Sequence, residues 1–328
     1  MSSVRRAIAL LALLAASAGG VRAQSMLFYF ELQAVGAYST ASGKVEPFSL
    51  VEDEAMQRPS LGFDLVKRFA GKTGDIGVLA VQARLAFDTN GNDNIEPQLF
   101  NAYFRLKTKF ADMWIGHNRP ALGLSSVLDS HALLLPAPAM LGYGFDRDWG
   151  VGLEKDLNWG GAAASLTTGS GMPLYFEGNY LAAARVFKGV LARDNYSVGL
   201  SLSYGRVLET MGYTLVDPEP MAWSSAGLDA TYVWRNLENR AEILVGSRGG
   251  DGTVLVFWRS GLSFLEEGRL KVEVQPVVTK NGETWEYSLG SGLTYLLNAD
   301  LAGRFMAYYD HERRDVRFAV QLYLYKLL

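Results

Sequence analysis

Trp285-Glu-Tyr-Ser-Leu-Gly-Ser-Gly-Leu-Thr-Tyr-Leu296 is the stretch whose reading decides the fold. Taken with a period of two, Trp285, Tyr287, Leu289, Leu293 and Tyr295 share one face, and Glu286, Ser288, Gly290, Gly292 and Thr294 share the other. Successive side chains of a strand point to opposite faces, so this is the pattern of a strand between an apolar and a polar medium. The same sorting recurs at 253–264, where Val254, Val256, Trp258, Leu262 and Phe264 oppose Thr253, Arg259, Gly261 and Ser263. At 222–235, Ala226, Leu228, Ala230, Tyr232 and Trp234 oppose Gly227, Asp229, Thr231 and Arg235. The pattern predicts faces that do not mix.

Outward from these three, apolar alternation bounded by turn residues predicts about sixteen strands. They fall at 27–40, 60–70, 76–88, 97–107, 112–118, 148–157, 162–170 and 178–187, then at 195–206, 222–235, 240–247, 253–264, 270–279, 285–296, 301–310 and 315–328. Connections after even-numbered strands are tight, as in Asn236-Leu-Glu-Asn and Leu297-Asn-Ala-Asp, whereas three of those after odd-numbered strands are long, at 41–59, 119–147 and 207–221. Short turns at one end and longer loops at the other are the asymmetry of a transmembrane barrel with both termini on the short-turn side.

Alternation alone does not orient the sheet, because a soluble sandwich would bury the apolar face. Three features favour lipid outside and water inside. The strands reach about ten residues, enough to cross a bilayer at a tilt. Aromatic residues, Trp223, Trp234, Trp285, Tyr295 and Tyr309, sit near strand ends where an interfacial girdle would lie. The polar face is rich in Gly, Ser and Thr. The last strand alternates up to the C-terminus and departs from the usual terminal strand of such barrels by ending on Leu328 instead of an aromatic residue. The expected fold is all-β: a transmembrane antiparallel β-barrel of about sixteen strands, its long third loop folded into the lumen.

Residues 1–23 read as an export signal, with Arg5 and Arg6, an apolar run from Ala7 to Ala16 and Val21-Arg-Ala23 before Gln24. That leaves 24–328 as the barrel and places it in the bacterial outer membrane. The chain is 49% hydrophobic, has 35 Gly and no Cys, and carries a net charge of -3. The missing cysteines exclude a small disulfide-stapled domain, and the charge excludes a strongly basic nucleic-acid binder.

With this parity the lumen receives Arg84, Arg105, Lys107, Arg185, Arg240, Arg259, Lys271, Arg304 and Arg317. It also receives the acids Glu31, Asp64, Asp148, Glu154, Asp229, Glu242, Glu273 and Glu286. Charge on the lipid face costs roughly 2 to 4 kcal/mol near the midplane, which confines it to the watered side. Basic and acidic walls facing one another would set up a transverse field. Loop 119–147 is too long for an ordinary connection and, at Leu133-Leu-Leu-Pro-Ala-Pro-Ala-Met-Leu141, too apolar for solvent. Folded inward it would be the constriction, lined by Arg119, Asp129, His131, Asp146 and Arg147.

Trp114-Ile-Gly-His-Asn-Arg-Pro-Ala-Leu-Gly-Leu, followed by Asp146-Arg-Asp-Trp-Gly-Val-Gly-Leu, resembles the signatures flanking the third loop in the phosphate-selective porin O and P family. Gly116, Pro120, Gly123 and Leu124 match the first, and Arg147, Asp148, Gly150 and Val151 the second. The resemblance implies a sixteen-stranded porin, generally a homotrimer. Phosphate does not carry over with it. Selection in that family rests on an arginine ladder and a basic constriction, and this third loop holds no Lys and only Arg119 and Arg147.

The expected activity is passive diffusion of small hydrophilic solutes, with outer-membrane lipid and those solutes as partners, no cofactor and no catalysis. One alternative is a structural sheath around a lumenal or periplasmic protein, such as an electron-transfer cytochrome or a plug, which the apolar 133–141 run keeps open. The other is a hydrolase, starting from His311 beside Asp310 and Glu312, or from His117 near Ser125 and Ser126; neither carries a nucleophile motif. Asp88-Thr-Asn-Gly-Asn-Asp-Asn-Ile-Glu96 is dense in oxygen ligands, but its Gly is misplaced for a calcium loop and a hairpin turn is expected. His117, His131 and His311 lack zinc-ligand spacing.

Overall fold

A computed structural model describes residues 22–50, 57–72, 74–87, 95–128, 131 and 133–328. Residues 1–21, most of the predicted leader, and 88–94, most of the oxygen-rich loop, lie outside the described residues.

The period-two segments pair in chain order into one antiparallel sheet. Its strands are β1 (Arg22–Ser39), β2 (Val45–Glu46), β3 (Ser60–Gly71), β4 (Gly74–Phe87), β5 (Ile95–Leu106), β6 (Asp112–Asn118), β7 (Asp148–Leu157), β8 (Gly160–Thr167) and β9 (Tyr180–Lys188). They continue as β10 (Tyr196–Met211), β11 (Thr214–Trp234), β12 (Leu237–Arg248), β13 (Asp251–Phe264), β14 (Leu270–Asn281), β15 (Thr284–Leu296), β16 (Leu301–Asp310) and β17 (Asp315–Leu327). β1 pairs with β3 on one side and with β17 on the other, Tyr29 opposite Leu327 and Ser39 opposite Arg317. The sheet therefore closes into a ring of sixteen strands, and the two-residue β2 stays outside it, against the end of β1. Closure removes every sheet edge, the condition for a sheet to enter a bilayer.

The exterior is apolar and the interior polar. On β13, Val256 and Trp258 are exposed while Thr253 and Arg259 are buried; on β17, Phe318, Val320 and Leu322 are exposed while Arg317 and Gln321 are buried. Exposed apolar residues of this kind recur on strand after strand. Soluble monomers rarely expose contiguous apolar patches beyond a few hundred Å², so this surface is built for lipid. Exposed aromatics gather at both strand ends: Tyr196, Tyr232, Trp234, Phe264 and Tyr295 at the end with the tight turns, and Phe87, Tyr180, Trp285 and Tyr287 at the end with the loops.

Three expectations need correction. Trp223 is no girdle residue: it points inward, is 4% exposed, and its indole N–H donates to Ser203 Oγ at 2.7 Å. Segment 207–221 is no loop, because β10 runs to Met211 and β11 begins at Thr214. Its prolines, Pro218 and Pro220, fall where the register jumps from Val207 opposite Met221 to Glu209 opposite Asp217. A bulge tolerates residues that cannot donate to the ladder, which is why two prolines did not end the strand. Lastly, the inner face is not polar throughout. Leu244, Leu255, Phe257 and Val277 point inward from β12, β13 and β14 and are buried.

Candidate functional site

What covers that inward apolar patch is the chain itself. Loop 119–147 leaves β6 and returns into β7, two strands paired from Asp112 opposite Glu154 to Asn118 opposite Asp148. Pro120, lacking an N–H, stands just beyond the ladder. At Gly123 the backbone turns through φ 34° and lies against the wall so closely that a Cβ there would be 1.6 Å from Glu242 Oε1. Only glycine fits both demands. Single helical turns follow at Leu124–Ser126 and at Pro138–Leu141, the second closed by Gly142 at φ 82°.

The loop is seated on three apolar patches spread around the ring. Ala121 and Leu122 pack with Leu181, Ala183, Val207 and Trp223 of β9, β10 and β11. Leu124, Leu128, Ala137 and Tyr143 pack with Leu244, Leu255, Phe257 and Val277. Leu134 and Leu135 pack with Ala37 of β1, Leu50, Met306 and Tyr308 of β16, and Ala319 of β17. One loop rooted at β6 and β7 reaches all of these walls only by crossing the interior. Each fully buried leucine contributes about 1.5–3 kcal/mol relative to exposure, so the five on the loop, Leu122, Leu124, Leu128, Leu134 and Leu135, dominate the docking.

Polar clasps fix its height. The Arg259 guanidinium donates to Leu135 O at 3.2 Å and Pro136 O at 3.0 Å, and the Gln275 amide donates to Pro136 O at 2.9 Å. The Leu124 N–H donates to Glu242 Oε2 at 3.3 Å, the Ala121 N–H to Ser165 Oγ at 3.0 Å, and the Tyr143 hydroxyl to Lys280 O at 2.9 Å. His131 Nε2 lies 2.9 Å from Glu31 Oε1. Arg147 donates to Asn101 Oδ1 at 3.1 Å and pairs with Asp146, its guanidinium over the Phe100 ring. Burial pushes the Tyr143 phenol above its ordinary pKa.

The residues expected to line a lumen divide into two groups. Buried ones are spoken for. Arg84 donates to Gln98 Oε1 at 2.7 Å and Gln57 Oε1 at 3.2 Å; Arg185 holds Asp229 through two hydrogen bonds of 2.9 and 2.6 Å; Arg317 binds Leu50 O and pairs with Glu46 at 2.9 Å. Partly exposed ones form a second set nearer the tight turns: Arg105 with Glu154 at 3.1 Å, and the chain Arg240, Glu238, Lys271, Glu273, in which Lys271 lies 2.9 Å from Glu238 and 3.0 Å from Glu273. Arg304 donates to Gln321 at 2.7 Å, and Glu286 and Arg119 are half-buried. Lys107 stands apart, beyond the end of β5 and 3.6 Å from Asp75 at the start of β4. Asp129 lies outside the described residues.

The expected opposition of a basic and an acidic wall is therefore replaced by pairs between neighbouring side chains, whose fields are local. Gln275, Gln82 and Gln98, missed among the candidates, are uncharged. Parity was the usable signal for Gln275, which shares the inward face of Lys271 and Glu273. The tip of the β10–β11 hairpin adds Tyr213, whose phenol is buried near Arg84 and Arg147, with burial raising its pKa. The hydrolase starting points are not assembled. His117 packs on Trp149 at 4.8 Å, and His311 stacks on Tyr287 at 3.9 Å beside the Tyr309 hydroxyl.

A sixteen-strand ring with an apolar exterior, crossed by its own third loop, has counterparts among solved structures. The fold is that of the outer-membrane porins. OmpF of Salmonella typhi superposes with a TM-score of 0.66 at 10% identity, covering 92% of this chain and 97% of that one. The loop L8 deletion mutant of OmpT, an outer membrane protein of Vibrio cholerae, gives 0.65 at 12% identity, covering 92% and 99%. The anion-selective porin from Comamonas acidovorans gives 0.64 at 11% identity, again covering 92% and 99%. No family model and no curated protein matches the sequence. At such identities the porin fold carries over without any one porin's specificity.

Proposed function

We propose that the chain is a porin of the bacterial outer membrane through which small hydrophilic solutes diffuse passively. The observation that carries this reading is the loop crossing the barrel: an apolar exterior accounts for residence in lipid, and an internal partition anchored on three walls accounts for size exclusion. Polar wall groups would replace part of a solute's hydration, and the absence of deep enclosure lets it leave again. With charges paired along the wall, ion selectivity is expected to be modest. The sheath reading is less well supported, because the wall patches a lumenal partner would use are taken by 119–147. A homotrimer remains part of the proposal through the resemblance alone.

Planar-bilayer recording of the refolded chain tests this. A stable open conductance is expected, rising when 133–141 is deleted because that run carries Leu134, Leu135 and the carbonyls held by Arg259. A folded, heat-modifiable barrel that never conducts would sink the porin reading.

A further inference from the structure

We propose that the hairpin joining β10 to β11 is a second partition of the channel, a strap across its mouth whose tip, Tyr213, limits the size of solute admitted. This deepens the porin reading and rests on it, since a size limit has meaning only for an open pore.

The strap begins where the wall ends. β9 last pairs with β10 at Tyr180 opposite Arg206, and β12 last pairs with β11 at Arg248 opposite Trp223. Past these rungs, segment 207–222 pairs only with itself among the described residues, as a two-stranded ribbon running to Met211 opposite Thr214 and turning at Gly212 with φ 56°. The ribbon is bulged near its base. Between the Val207–Met221 and Glu209–Asp217 rungs β10 has only Leu208, whereas β11 has Pro218, Glu219 and Pro220. A bulge bends the strand that carries it. Val207 and Leu208 are 2% and 1% exposed, so the bend is packed against other chain.

That packing leans the ribbon over the lumen. The Leu208 N–H donates to Gly169 O at 2.8 Å, and Arg248 Nη2 donates to Glu209 Oε1 at 3.2 Å. A Cβ on Gly171 would lie 3.2 Å from Thr210 Oγ1 and 3.0 Å from the Phe145 ring, so 169–171 and the lumenal loop meet beside the ribbon. Asp148 fixes that segment by accepting the Gly169 and Gly171 N–H groups at 2.6 and 3.2 Å.

The tip comes down on a different part of the wall. The Tyr213 hydroxyl is shut off from solvent beside Arg84 of β4, Glu96 and Leu99 of β5, and Arg147 where the lumenal loop re-enters the sheet. Both guanidinium groups also lie over the Phe100 ring, at 4.4 and 5.5 Å, and Arg84 is 3% exposed on the inner face. In the ring β6, β7, β8 and β9 stand between β5 and β10, so the ribbon reaches this seat only by spanning the mouth above their sector. The chain from Val207 to Tyr213 supplies about 20 Å of reach at roughly 3.3 Å per residue. Entry is then left to the sector opposite, over β11 to β17.

Two variants test the strap, Tyr213→Ala and replacement of 210–215 by Gly-Gly, each checked for folding by heat-modifiable migration. Either should raise single-channel conductance by about one half, and polyethylene glycols of graded mass should show a larger exclusion limit. The native chain has no Cys, so Glu96→Cys combined with Tyr213→Cys gives a clean test of where the tip sits. A short bismaleimide should join the two thiols within one folded chain. Native conductance and exclusion limit in both variants would overturn the strap as a partition, and failure of the cross-link would overturn its seat. A barrel that cross-links but conducts in no variant would keep the seat and remove the porin reading.

Discussion

Gly123 and Tyr143 show how single residues set the position of the lumenal loop. Gly123→Ala would force a Cβ into the space of Glu242 Oε1 in a left-handed backbone, so Glu242 must swing away and release the Leu124 N–H. The expected cost is about 1–3 kcal/mol, the range for leaving a buried polar group unpaired, read as a lower thermal midpoint and noisier single-channel current. Native-like behaviour of this variant would mean that the loop does not rest on Glu242. Tyr143 must stay neutral to donate to Lys280 O. Because burial raises its folded pKa, its contribution is complete below the ordinary tyrosine value of about 10 and is lost as pH rises through the raised value. Open-channel noise should therefore increase at strongly alkaline pH, and Tyr143→Phe should lack that step.

At the scale of elements, strands were legible because lipid and water impose opposite demands on alternate residues, and 285–296 and 315–328 obey them apart from Ser291 and Lys326 on the apolar face and the leucines at their ends. The inward fold of 119–147 was legible from its apolar run. What the pattern hid was the seat: Leu255 and Phe257 share the inward parity of Thr253 and Arg259, and a loop lodged inside lets apolar residues occupy a face otherwise turned to water. The extended β10–β11 hairpin was hidden for a related reason, since a ribbon rising above the bilayer need not sort its faces. Among site residues, parity found Arg185, Asp229, Arg259 and Arg317, but sequence could not show that loop carbonyls or a neighbouring carboxylate would claim them. Arg259 illustrates the consequence. Arg259→Gln should remove two clasps on 135–136, and the expected result is a wider, more fluctuating conductance with little change in charge preference, measured by reversal potential in a salt gradient.

At the scale of the whole molecule, the barrel turns a soluble protein inside out, so one substitution should act differently on its two faces. Val256→Arg, outward on β13, is expected to destabilise insertion by roughly 2–4 kcal/mol if it lies near the midplane. Ser288→Arg, half-buried on the inner face of β15, should cost much less; equal effects in a lipid-refolding titration would contradict the assigned orientation. The third apolar patch has a further meaning for assembly. Leu134 and Leu135 share a buried cluster with Ala37 on β1 and Ala319 on β17, the first and last strands made. The loop thus braces the seam where the two chain ends meet, and the seam reaches its finished packing only with the loop in place. Sealing of the cylinder and setting of its bore become one event, and a shortened loop would leave a wider hole in a wall slower to join and easier to unzip.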